Sequence, residues 1–119
     1  MAVYSKTILS GSTDGKAVLV AATATPGTLI HTGSTTTTTL HEVWLYAVNT
    51  SASDVKLTVE WGDATAPNGN IEYTVKAENG LYLIVPGLLL KGNATALTVR
   101  AFAATTNVIS VHGYVNVIA

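Results

Sequence analysis

The sequence predicts an all-β fold: a single-domain antiparallel β-sandwich over residues 1–119, jelly-roll-like, with eight to ten strands. Three observations carry that expectation. Nineteen of the 119 residues are threonine and fourteen are valine, types that lose rotamer freedom on a helix and pack well on a pleated sheet. In Asp54-Val55-Lys56-Leu57-Thr58-Val59-Glu60-Trp61 the odd positions are apolar and the even ones polar up to Glu60, the pattern of a strand with one wet face. Turn-forming clusters separate such runs at about 8–12 residues, the rhythm of sandwiches and barrels.

Taken in order, the strands expected are Tyr4–Leu9, Lys16–Ala22 and Thr28–His31, all short, then Val43–Val48, Asp54–Trp61, Asn70–Val75, Leu81–Val85, Ala96–Ala103 and Val108–Ile118. Val43–Val48 is apolar at every position, so it reads as a central strand covered on both sides, or one whose outer face meets a partner. Ser10–Gly15, Glu78-Asn79-Gly80 and Lys91-Gly92-Asn93 are breaks. Asn68-Gly69 signals a hairpin with a loop longer than two residues, and Pro26-Gly27 and Pro86-Gly87 read as type II turns. The polar run within residues 32–39, Gly33-Ser34 followed by five threonines, is either a solvated loop or a segment that orders on a neighbour by β-addition. Met1–Lys6 is expected to form an N-terminal arm, because unanchored termini order on docking.

Composition narrows the function. Only thirteen side chains are charged, 11% of the chain against about 25% in ordinary domains. An exterior of Thr, Ser, Ala and Gly is poorly defended against association, so a subunit of an assembly is expected. The six basic residues are scattered singly, whereas nucleic-acid binding relies on clustered positive charge. The longest apolar run, Leu81–Leu90, is broken by Pro86-Gly87 and falls short of the roughly 20 residues needed to span a bilayer. No cysteine is present, which excludes thiolate metal sites, and no secretory leader is visible. Neither nucleic acid nor membrane is an expected partner, and synthesis in a cytoplasm is expected.

No catalytic constellation emerges. His31, His41 and His112 lack the short spacing of a metal site and read as partly exposed strand residues. Glu60 and Asp63 flank Trp61-Gly62, but solvent-facing carboxylates explain both better than a glycosidase pair. Nucleophile elbows, phosphate loops and dinucleotide fingerprints are missing. A non-enzyme without catalytic, metal or cofactor residues is expected. The sequons at Asn49 and Asn93 follow from threonine abundance.

Aromatic residues point elsewhere. If Val43, Leu45 and Ala47 face the core, Trp44 and Tyr46 face outward, and such side chains dominate binding hot spots. That face is covered by the protein's own loops, by another subunit, or by a sugar. Trp44, Tyr46, Trp61, Tyr82, Val3 and Tyr4 are the interface candidates, the last two within the arm. A strip of Trp61, Tyr73 and Tyr82 would instead mark a carbohydrate- or receptor-binding module.

Nearly the whole chain resembles a group of small virion proteins of tailed bacteriophages. The likeness runs through Leu9–Lys16, Thr28–Thr32, Glu42–Asn49, Leu57–Gly62, Val85-Pro86-Gly87, Val99–Ala104 and His112–Asn116. It implies a capsid-associated structural role, foremost a decoration (cement) protein on the capsid surface, with a head–tail connector or tail component as the alternatives. The partners implied are further copies of the chain, as a homotrimer, and the major capsid protein.

Overall fold

The computed structural model describes residues 3–119. Nine strands form in the order β1 (Tyr4–Ile8), β2 (Val18–Leu19), β3 (Thr28–Thr32), β4 (Leu40–Asn49), β5 (Val55–Trp61), β6 (Asn70–Val75), β7 (Tyr82–Lys91), β8 (Thr98–Ala103) and β9 (Ile109–Ile118). They build two antiparallel sheets, as the alternation predicts. One has five strands in the order β1-β9-β4-β7 with β2 also on β9, and the other has four in the order β3-β8-β5-β6.

The topology is a rolled hairpin. β1 and β2 pair with successive stretches of β9, around Val115 and Val111, so they act as one interrupted strand. Nested inside lie the pairs β3·β8, β4·β7 and β5·β6, centred on the loop 62–69. Rolling that long hairpin brings β9 beside β4 and β8 beside β5, which is the jelly-roll arrangement.

The core follows from strand parity. Val43, Leu45 and Ala47 of β4 meet Val55, Leu57 and Val59 of β5 across the interior, with Val85, Val99, Ala101, Val111 and Val115 around them. Every third-layer alternative is absent among the described residues, so each sheet keeps one outward face. Gly113 opposes Leu45 in the centre of the five-stranded sheet, where a Cβ would lie 2.0 Å from the Trp44 carbonyl oxygen.

Three expectations change. Pro86-Gly87 does not end a strand: β7 runs through it, and Gly87, at φ 77°, is the extra residue of a bulge opposite Val43 and Trp44. Proline is tolerated there because β7 is an edge strand. Pro26-Gly27 lacks the left-handed glycine of a type II turn; Gly27 is required because a Cβ would sit 2.6 Å from the Ala101 backbone. From Val3 onward, the expected arm is joined to its own sheet through Val3 and Ala119, which exchange two backbone hydrogen bonds. Met1 and Ala2 lie outside the described residues. The threonine loop is fixed at both ends, by Gly33 N–H to Leu97 O and Gly92 N–H to Thr39 O, while Thr35–Thr38 are exposed.

Candidate functional site on the outer face of the five-stranded sheet

Strands β1, β9, β4 and β7 place three rows of side chains on this face. Register puts Ile8, Tyr114, Trp44 and Pro86 in one row, Lys6, Asn116, Glu42 and Leu89 in the next, and Tyr4, Ile118, Leu40 and Lys91 beyond it. Trp44 and Tyr114 stack with ring centroids 6.1 Å apart and planes 11° apart. A bulge at Gly87 makes room for the indole, since a Cβ there would lie 2.8 Å from it. Tyr46 lies one step along β4, opposite His112. Trp44 and Tyr46 are half-buried, on the face opposite the core, as parity predicts.

The same face carries one organised polar cluster. Glu42 Oε1 accepts from Trp44 Nε1 and from Asn116 Nδ2, each at 2.8 Å. Those hydrogen bonds, the indole first, hold the Glu42 carboxyl below the usual carboxylate range. Lys6 Nζ stands 4.8 Å from the Tyr114 ring centroid, within cation–π reach. A shallow cavity of about 360 Å³ lies beside them, lined by Tyr4, Ser5, Lys6, Glu42, Asn116 and Ile118.

The edge of this sheet is apolar. Leu81, Tyr82, Leu83, Leu88 and Leu89, in and just before β7, are all substantially exposed, Leu89 at 52%. Edge strands are ordinarily blunted by charge, proline or bulges; here that falls to Pro86, the bulge at Gly87, a second irregularity between Leu83 and Val85, and the terminal Lys91. On the opposite edge β1 exposes all five residues, Tyr4 at 74%.

The remaining interface candidates are dispersed. Trp61 packs against the core from the end of β5. Tyr82 stacks on Tyr73 of β6 at 4.8 Å, closing the gap between the two sheets at one side. The neighbouring Tyr82 phenol holds the Tyr73 hydroxyl above its ordinary range. Tyr73 opposes Leu57, four residues from Trp61 along β5 and so roughly 13 Å away. The three aromatics therefore do not form one continuous strip.

Two sequence readings are corrected. Glu60 is not solvent-facing: it is 2% exposed. Its carboxylate accepts from Thr25 Oγ1 at 2.5 Å and from Gly27 N–H at 2.7 Å, so the loop before β3 folds over it. Asp63 is exposed and accepts from Thr65 N–H and Asn68 Nδ2, organising the β5–β6 loop. The two acids thus have separate structural tasks. His31 is not partly exposed either, with 2% of its surface accessible. A bulge in β3 turns it inward, where its Nδ1 accepts from Ser10 N–H at 3.0 Å and its Nε2 lies 2.8 Å from His41 Nδ1.

A backbone N–H can only donate, so neutral His31 carries its proton on Nε2 and donates to His41. Burial first, then the neighbouring imidazole, pushes His31 down to about 4; burial also lowers His41. His112 is remote from both, on the outer face opposite Tyr46. Among the described residues no three His, Cys, Asp or Glu side chains are placed to hold a metal ion. Asn49 is buried, with its amide bonded to Ser53 O, Val75 O and Ser51, so it closes the turn before β5.

Compared with known proteins, the chain matches no protein-family model, no curated protein and no solved structure.

Proposed function

We propose that this chain is a structural virion protein of a tailed bacteriophage. Its role is that of a decoration (cement) subunit, made in the host cytoplasm, that associates with its own copies as a homotrimer and bridges the major capsid protein at the capsid surface. The observation that supports this most is the pairing of an aromatic outer face, centred on Trp44 and Tyr46, with the exposed leucines of β7 in a chain of thirteen charges. Large apolar patches on soluble domains mark interaction sites. β1 and β7, the two edges of the same sheet, run antiparallel to one another. A neighbour's β1 laid on β7 would therefore continue the ladder, and head-to-tail contacts whose rotation closes form rings.

Cementing needs no chemistry. A protein that binds only the assembled shell stabilises it by mass action, and several weak contacts per trimer multiply through avidity. Light scattering of the purified chain, with co-sedimentation on shells of the cognate phage, tests the reading. Trimers that bind shells are expected, and Trp44→Ala or Tyr46→Ala should abolish assembly or shell binding while the folded spectrum persists. Rings of six or twelve would assign the chain to the connector instead. A monomer indifferent to shells would remove the proposal.

A further inference from the structure

The cavity between β1, β9 and β4 adjoins the proposed contact face, and its polar groups are arranged for a ligand. Glu42 is the centre. Both of its hydrogen bonds end on Oε1, which fixes the carboxylate and leaves Oε2 with no partner among the described residues. Asn116 spends Nδ2 on that contact, and its Oδ1 remains an acceptor. One residue further along the same row, Lys6 lies over Tyr114. Among the described residues neither Lys6 nor Glu42 forms an ion pair. A cation and a carboxylate thus line one cavity without neutralising each other.

That arrangement selects against ligands that carry charge of a single sign. An anion drawn to Lys6 meets the ionised Glu42, and a guanidinium drawn to Glu42 meets the Lys6 ammonium. A neutral molecule rich in hydroxyls satisfies both, donating to Glu42 Oε2 and Asn116 Oδ1 and accepting from Lys6. Ile118 and the Tyr4 ring give the lining apolar surface for C–H groups. Clefts for small ligands span about 300–1,000 Å³, and about 360 Å³ lies near the lower end. We propose that this cavity binds a neutral glycan unit, with Glu42, Asn116 and Lys6 as its polar contacts.

The site differs from a strip of Trp61, Tyr73 and Tyr82, and it does not depend on the cementing role. The test is an array of neutral, sialylated and phosphorylated glycans probed with the full-length chain, followed by calorimetry with the best hit. Binding confined to neutral glycans is expected. Glu42→Gln and Lys6→Ala should each weaken it at least tenfold, with unchanged melting curves, and Trp61→Leu should leave it intact. Glu42→Gln can still accept the indole N–H, so its loss of binding reports the charge and not the packing. An array without hits, binding of an arginine-rich peptide in place of glycans, or glycan binding that survives both substitutions would overturn the assignment.

Discussion

The two outer faces of this sandwich are built from equivalent strands and finished in opposite ways. On the four-stranded sheet, Glu60 is roofed by the protein's own loop through Thr25 and Gly27. Arg100 braces that loop through the Gly27 carbonyl, and Lys56 pairs with Glu72 in solvent. On the five-stranded sheet, Trp44, Tyr114 and Tyr46 lie at the surface, and β7 ends the sheet in exposed leucines. One face is completed within the chain. Under the proposed role, the other is completed by neighbours, so changes on the two faces should separate folding from assembly.

The largest expected effect acts on what holds the faces together. His31 belongs to β3 and His41 to β4, so their hydrogen bond crosses between the sheets. Protonation would set two donors against each other there, or turn Nδ1 of His31 against the Ser10 N–H. Because folding lowers the His31 pKa, the unfolded chain binds the proton more readily, and stability falls as pH drops. It should be fully present above about 6.5 and decline until about 4. The window corresponds to about 3 kcal/mol, measurable by urea unfolding at pH 7.5 and 4.5. His31→Asn, whose Oδ1 can accept from Ser10, should flatten this dependence. An equally steep decline in that variant would place the acid sensitivity elsewhere.

Next comes the roof over the four-stranded sheet. Glu60→Ala strands the buried Gly27 N–H and releases the exposed Thr25 hydroxyl to solvent; an orphaned buried donor costs about 1–3 kcal/mol. A loss of about 2 kcal/mol in chemical denaturation is expected, with self-association unchanged. Trp44→Ala should show the reverse balance. Losing its stack costs about 1 kcal/mol, while assembly fails. If Glu60→Ala disrupted assembly as strongly as Trp44→Ala, the division between the faces would collapse.

What the sequence made legible was whatever depends on period two. Residue choice, alternation and turn clusters located all nine strands, although the expected Leu81–Val85 stops short of β7, which runs to Lys91. Within β4, the run Val43–Val48, apolar at every position, showed two faces without saying which was inward. Features that depend on register or on distant chain were hidden. Glu60 alternates as a wet residue, and only a loop more than thirty residues earlier in sequence buries it. Pro86-Gly87 has turn chemistry, yet on an edge strand the same pair makes a bulge. His31 and His41 bracket the threonine loop, and their meeting became visible only once the crossing between sheets was known. The Lys6–Asn116–Glu42 row needs the register of three strands, two of them more than seventy residues from the third.

The smallest effect on folding should be the sharpest probe of the comparison. Leu83 and Leu89 of β7 are substantially exposed, and in Leu83→Lys and Leu89→Lys the lysine stems can cover the same surface; substitutions at surface sites usually change stability by about 0.5 kcal/mol or less. Lysine on an edge strand is also a standard deterrent to pairing with another sheet. Under the proposed role the double variant should melt with the parent protein yet remain monomeric in light scattering. The matching control lies on the other sheet, where Lys56→Ala breaks a solvent-exposed ion pair worth little and should leave both melting and assembly alone. Trimers that persist with two lysines on β7 would show that the apolar edge is not the contact, and would confine assembly to the Trp44 face.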